Sequence, residues 1–461
     1  MFFRQYYLGC LSHASYLIGD ETTGRAVVVD PQRDVSEYLA DAQKEGLEIE
    51  RVIETHVHAD FVSGHLELAS KTGAAISYGE GAELEYPVEH LHDGRRLNLG
   101  AVDLEVLATP GHTPESISIV VYENGIGGTP YGVLTGDALF IGDVGRPDLL
   151  ASAGTTAEEL ARKLYRSLRT KLLTLPDATK VYPAHGAGSS CGKHLSSETV
   201  STIGEQRMTN YALAPMTEDE FVAVVTEGQP AAPAYFSYDA QRNREMRSVL
   251  EEGKPPPVLD IEAVVAMMQE GGVVIDTRPA SDFAAGHLRG SINVGLEGRF
   301  SEYAGDIAQP SSHIAVVCEP GLELESKVRL ARVGFDNVVG CLRDPYQSFV
   351  DHPDLVASSS RLTASELAQR REELANIAII DVRNPGELAG GVIPGSKNLP
   401  LATLADGMRE LDHACPTVVY CGSGYRSSIA ASAMAAAGFA DVSDLLGGYE
   451  AWTRLEARDG A

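Results

Sequence analysis

The chain has 461 residues, 44% of them hydrophobic, which is material for one large domain core and two smaller ones. Its formal net charge of -28 excludes a nucleic-acid-binding role, since phosphate contacts need basic patches; the acidity reflects solubility or an acid- or salt-adapted host. No run of about 18 apolar residues is present to span a membrane, the first residues lack a signal peptide's basic start and apolar core, and six cysteines without a close pair make no secreted disulfide framework, so a cytoplasmic location is expected.

Residues 25–29 read as a strand closed by Asp30-Pro31. Residues 49–54 read as another, whose extension carries Thr55-His56-Val57-His58-Ala59-Asp60-Phe61, with His56 and His58 on one face. Residues 64–73 read as a helix, which leaves the histidines in a loop at a strand's carboxyl end, where open α/β sheets build their sites. A His-x-His pair alone is weak evidence. Further strand ends strengthen it: 104–109 leads into Gly111-His112-Thr113, 132–134 into Thr135-Gly136-Asp137, and 180–182 into Pro183-Ala184-His185-Gly186. Separate strand ends thus each deliver a metal-ligand type, against the plain alternative of a polar cluster that binds nothing. His56, His112 and Asp137 make a two-histidine, one-carboxylate set that suits Fe(II) and dioxygen. The same donors also suit Zn(II).

Cys191 follows in a glycine-rich stretch, 186–194. Gly192-Lys193 lacks both the upstream glycine and the following Ser or Thr of a phosphate loop, so nucleotide binding is rejected there. A thiol at this place can carry sulfane sulfur, with Lys193 or His194 lowering its pKa; equally, it is a small loop residue. Arg207, in 201–210, is either a bidentate partner for a substrate carboxylate or a helix arginine in a surface ion pair.

Residues 251–257, with their charges and three successive prolines, read as an exposed linker. Beyond it the sequence repeats. Val274-Ile275-Asp276-Thr277-Arg278 matches Ile379-Ile380-Asp381-Val382-Arg383, and 17 residues separate Asp276 from Asn293 as they separate Asp381 from Asn398. Cys318 and Cys421 follow their aspartates by 42 and 40 residues, which makes two copies of one domain of about 100 residues. In the second copy, Cys421-Gly422-Ser423-Gly424-Tyr425-Arg426-Ser427 puts a cysteine between a strand and a helix. Backbone amides, the helix end and Arg426 there favour thiolate over thiol, and Cys421 should act as a nucleophile. Only four residues lie between Cys421 and Arg426, against five in the cradle of cysteine phosphatases. The first copy has Glu323 at the place of Arg426, and carboxylates beside a thiol raise its pKa and repel anionic donors. That copy reads as catalytically degenerate and structural, with weak activity from Cys318 left open. Cys10, Cys341 and Cys415 read as packing residues.

The strand-end motifs resemble the metallo-β-lactamase superfamily over roughly residues 1–250, and the cysteine loops resemble rhodanese domains over nearly all of 258–461. The fold class this implies is α/β: an αββα sandwich at 1–250, a degenerate rhodanese-like domain at 258–355 and an active one at 360–461. In the superfamily His56, His58 and His112 line a first metal position, Asp137 can bridge, and Asp60, a histidine at position 61 and His185 hold a second. Phe61 cannot ligate, so a single metal is expected. Within the superfamily the stretch 135–148 closely resembles the persulfide dioxygenases. That resemblance implies one Fe(II) per chain on His56, His112 and Asp137, with His58, Asp60 and His185 near it. It further implies a low-molecular-weight persulfide, with glutathione the usual carrier, O2 and sulfite as reaction partners, Arg207 and Cys191 as substrate-binding residues, and Cys421 with Arg426 as the sulfur-transfer pair. A homo-oligomer is compatible with the sequence, whereas nucleic acid and membrane are not expected partners. The alternative is a hydroxyacylglutathione hydrolase of glyoxalase II type, which uses two metals; a β-lactamase or a metal-free sulfur carrier stands behind it.

Overall fold

A computed structural model of the chain describes residues 1–149, 155–229, 231–374 and 376–459. It divides into two compact units, Met1–Ala232 with Phe236–Glu251, and Pro233–Tyr235 with Glu252–Ala461.

The first unit carries β1 (Phe2–Leu8), β2 (His13–Asp20), β3 (Arg25–Val29), β4 (Glu48–Ile53), β5 (Ala75–Gly79) and β6 (Glu89–Leu91) in one sheet. A second sheet holds β7 (Arg96–Asn98), β8 (Asp103–Ala108), β9 (Ile117–Tyr122), β10 (Gly132–Gly136), β11 (Lys180–Pro183) and β12 (Ser201–Thr202), and both sheets run edge to edge in chain order. Side-chain alternation decides what covers each face. In β3, Val27 and Val29 pack between the sheets with Leu104, Ile119 and Leu134, whereas Ala26 and Val28 turn to Tyr38 and Ala42 of the helix Ser36–Glu45. β9 repeats the scheme: Ile119 and Val121 face the other sheet, and Val120 meets Leu164 and Leu168 of the helix Ala157–Thr170. Strands covered on both faces need apolar residues at successive positions, which is what 26–29 and 119–121 supply. The layers are therefore helix, sheet, sheet, helix, as expected. The sheets meet at one end through Ala14 N–H, which donates to Ala184 O at 2.7 Å, and through the antiparallel bridge of His13 with His185.

In the second unit, β13 (Val258–Leu259), β14 (Val273–Asp276), β15 (His287–Leu288), β16 (Ile292–Asn293), β17 (Ile314–Val317), β18 (Val338–Leu342) and β19 (Val356–Ala357) form the first copy. The second holds β20 (Ser360–Leu362), β21 (Ala378–Asp381), β22 (Lys397–Asn398), β23 (Thr417–Tyr420) and β24 (Val442–Leu445). The sheet orders, β13-β18-β17-β14-β16 and β20-β24-β23-β21-β22, are the same arrangement twice, parallel throughout, with β15 and β19 paired outside. The repeated residues do repeated work. Buried Arg278 and Arg383 each hold the aspartate two positions earlier at 2.6 Å. Asn293 Nδ2 donates to the carbonyls of Asp276 and Arg278 at 3.0 and 2.9 Å, as Asn398 Nδ2 does to those of Asp381 and Arg383 at 2.9 and 2.8 Å.

The linker is less free than its composition suggests. Pro256 is buried, and the Pro257 carbonyl accepts Cys341 N–H at 2.8 Å beside β18. Pro233–Tyr235 also groups with the second unit, because the Tyr235 ring lies on Gly305, where an added Cβ would come within 2.4 Å of it. Among the described residues no helix is long and apolar enough to cross a membrane.

Candidate metal centre and cysteine loop

The ends of β4, β8, β10 and β11 deliver their donors to one buried place. His56, His112 and Asp137 present ligand atoms that all lie within 4.8 Å of one another. The Asp137 carboxylate is 3.5 Å from His112 Nε2 and 3.9 Å from His56 Nε2. Donors around a tetrahedral ion with bonds of about 2.1 Å sit about 3.4 Å apart, so the spacing fits a cation between them. Both rings are aimed by their other nitrogen. His112 Nδ1 lies 2.8 Å from Arg146 O, and His56 Nδ1 lies 3.0 Å from Thr55 Oγ1, whose hydroxyl donates to Asp30 Oδ2 at 2.8 Å. Each bond leaves Nε2 as the free lone pair. His56 Nε2 is buried with no hydrogen-bond partner among the described residues. Burial, then the neighbouring His58 and His112, hold the His56 pKa well below the ordinary histidine value, so its ring is the neutral, ligating form. Gly145 passes so close that a Cβ would lie 2.0 Å from Asp137 O, which is why the ligand loop needs glycine there.

His58 is held apart from that set. It groups with Asp60 and His185 rather than with His56 and His112. Its Nε2 sits 3.0 Å from Asp30 Oδ1 and 3.1 Å from Glu54 Oε2. Burial pulls its pKa down, yet the two carboxylates carry it well above the ordinary value. His185 Nε2 stands 3.2 Å from Asp60 Oδ2 and 3.5 Å from Asp137 Oδ1. Phe61 is fully buried, its ring 4.5 Å from that of His58 and 4.1 Å from that of His13.

Cys191 joins Asp137 and His185 in a third ligand-capable group. The expectation that Lys193 or His194 lowers its pKa is corrected: burial, then the charges of Asp60 and Asp137, push the thiol well up. Lys193 Nζ instead donates to the carbonyls of Val224 and Glu227 at 2.6 and 2.9 Å. Arg207 lies on the helix Ile203–Thr209. It is exposed and holds Asp177 Oδ1 at 3.1 Å and Leu173 O at 3.0 Å, the surface ion pair of its plainer reading.

Two contributors were invisible to motif reading. His13 lies buried against Phe61, His58 and His185. Asn243 donates to His58 O at 2.8 Å and Phe61 O at 2.7 Å and accepts Ser63 N–H at 2.9 Å, clamping the ligand loop from 180 or more residues away. No local signal marks either residue; a lone His in a strand and a lone Asn past a helix are ordinary.

In the second unit, Gly424 N–H donates to Cys421 Sγ at 3.1 Å, and Ser427 Oγ is 3.6 Å from the sulfur. The helix Gly448–Asp459 caps the loop, with Tyr449 N–H on Cys421 O at 2.7 Å and Glu450 N–H on Gly422 O at 3.1 Å. Arg426 forms a bidentate pair with Glu387, 2.7 Å on each arm. In the first copy burial, then Glu323, push Cys318 up to about 12.

Residues 8–185 match the metallo-beta-lactamase superfamily, and residues 260–352 and 363–455 each match the rhodanese-like domain. The mitochondrial persulfide dioxygenase ETHE1 of Bos taurus is 31% identical over 233 residues, spanning 50% of this chain and 82% of that protein. The chain belongs to the metallo-β-lactamase superfamily. The hydroxyacylglutathione hydrolase-like protein of Mus musculus is also 31% identical, over 47% of this chain and 81% of its own length. The crystal structure of a metallo-beta-lactamase from Staphylococcus aureus subsp. aureus COL superposes with a TM-score of 0.67 at 33% identity, covering 74% of this chain and 99% of that one. This superfamily member therefore carries two rhodanese-like domains behind its αββα sandwich.

Proposed function

We propose that this chain is a persulfide dioxygenase with a built-in sulfurtransferase, organised as modules at 1–250, 258–355 and 360–461. The observation that carries the reading is the buried pair of imidazoles, each tied back through Nδ1, facing one carboxylate in a chain similar to persulfide dioxygenases. The overall reaction is RSSH + O2 + H2O → RSH + SO3²⁻ + 2H⁺, with glutathione persulfide as the natural candidate. His56, His112 and Asp137 would hold one Fe(II), with Zn(II) the other ion these donors suit; Fe(II) held there would supply the redox chemistry by which dioxygen oxidises a persulfide. Thr55 and the Arg146 carbonyl keep both imidazoles aimed. Asp30 and Glu54 restrain His58, and Phe61 seals an apolar wall where a further ligand would stand.

Cys421 works as a nucleophile on the outer sulfur of a persulfide. Its Sγ bonds to that sulfur, the old S–S bond breaks, and the carrier thiolate leaves. Sulfite then attacks the outer sulfur of Cys421 persulfide, giving thiosulfate and restoring the thiolate. The Gly424 amide donates to the sulfur and is placed to stabilise negative charge on it. Arg426, freed from Glu387, would draw in the anionic acceptor.

The test is oxygen consumption by Fe(II)-loaded protein given glutathione persulfide. Uptake with sulfite release is expected, and Cys421→Ser should keep sulfite and lose thiosulfate. No uptake, with hydrolysis of S-lactoylglutathione instead, overturns the reading. That second reading, a glyoxalase II type thioesterase, draws on the additional cluster of His58, Asp60 and His185 and predicts two metal equivalents.

A further inference from the structure

Within the second unit the cysteine loop is held from two sides. Its first half is tied by its own copy, through the Tyr449 amide on Cys421 O and the Glu450 amide on Gly422 O. Its second half supplies the amide that touches sulfur, the Gly424 N–H on Cys421 Sγ. Gly424 stands at φ +111 and has no side chain to pack, so its neighbours must fix where its N–H points. Ser427 Oγ donates to the Gly424 carbonyl at 3.1 Å, and the next residue, Tyr425, is anchored in the other copy. The Tyr425 hydroxyl donates to Gly295 O at 2.7 Å. Its ring lies against Gly295 and Gly298, where added Cβ atoms would come within 3.6 and 3.5 Å of it. The Tyr303 ring meets it in a T-shaped contact, 5.4 Å between centroids.

The attachment continues along the helix Tyr425–Ala436, where Ser432 Oγ accepts the Asn293 N–H of β16 at 2.9 Å. β16 is the outer strand of its sheet, and an edge strand leaves amides that need a partner. The repeat alone does not require this attachment: Leu322 stands at the place of Tyr425 in the first copy and has no hydroxyl to offer. The helix Phe300–Ile307 of the first copy also brings Tyr303 and Asp306 near Arg426, whose charge opposes the rise that burial imposes on both acids. Inside its own copy Arg426 is paired with Glu387. A donor fixed before charge develops stabilises that charge better than one that must first be reoriented. We propose that Tyr425 is a positioning residue through which the degenerate copy holds its sister's cysteine loop in the sulfur-accepting geometry, so that two copies are needed to build one transfer site. This rests on Cys421 being the thiol that takes sulfur.

The test is the rate at which iodoacetamide alkylates Cys421 in the full chain, followed on its peptide by mass spectrometry, at neutral and at alkaline pH. Tyr425→Leu, which gives the loop the residue of the first copy, should slow alkylation about fivefold at neutral pH, because a weakened Gly424 bond leaves less thiolate. At alkaline pH, where the thiol is ionised in every molecule, the deficit should vanish. Tyr303→Leu should act in the same direction, and adding it to Tyr425→Leu should change nothing further, since both act through one contact. Val264→Ala, which loosens the first copy in the core cluster of Ile261, Val274 and Leu342, should lower the melting temperature and leave the rate alone. An unaltered neutral-pH rate in Tyr425→Leu overturns the proposal. So does a deficit that persists at alkaline pH, which is altered access, or an equal deficit in Val264→Ala, which is general loosening. Should Tyr425→Leu fail to fold, Tyr425→Phe, lacking only the hydroxyl, and Tyr303→Leu carry the same comparison at the two pH values. Alkylation needs neither persulfide nor metal, so absence of thiosulfate from the unmodified chain would overturn the sulfur-transfer reading and leave these rates standing.

Discussion

Phe61 is the residue whose chemistry and surroundings diverge most. The resemblance to the superfamily expects a ligand at its position, and it is completely buried against the rings of His13 and His58. Phe61→His should restore a donor beside Asp60 and His185, raising metal content from about one to about two equivalents per chain; elemental analysis of the purified variant measures it, and oxygen uptake should fall in parallel. That Phe61 cannot ligate is legible in the sequence. What it packs against is not, because His13 lies 48 positions earlier in the chain. Arg207 teaches the opposite lesson: its charge and setting admit two roles in sequence, and only the position of Asp177 shows where the guanidinium goes.

At the scale of elements, strand alternation and strand-end donors were legible because both are written in adjacent residues. The role of Gly448 was not. Gly448 sits at φ +55 with an added Cβ only 2.3 Å from Cys421 O and 2.7 Å from Gly422 O. The first turn of Gly448–Asp459 can reach the cysteine loop only because nothing projects there. Gly448→Ala should cost about 1–3 kcal/mol of stability in a urea melt. Thiosulfate formation should fall on the order of 10- to 100-fold as the loop shifts, while sulfite production by the first unit stays.

At the scale of the whole molecule, the ligand-capable residues of the metal centre all belong to one compact unit and Cys421 to the other. Unfolding should therefore depart from two-state behaviour. A chelator should lower only the transition of the metal-bearing unit, by roughly 5–10 °C if metal stands at about 100 times its dissociation constant, and scanning calorimetry separates the two transitions. The sequence by itself determined the inventory: donors at strand ends, a repeated α/β module, one intact cysteine loop and one spoiled by carboxylates. All of these rest on short spacings and local periodicity. Tertiary structure alone decided which of them meet. His58 is held by Asp30 28 positions away, and Asn243 grips the His58 carbonyl across 185. Tyr425 reaches Gly295 in the other copy across 130. Such meetings depend on how sheets and copies pack, and no neighbouring residue records them.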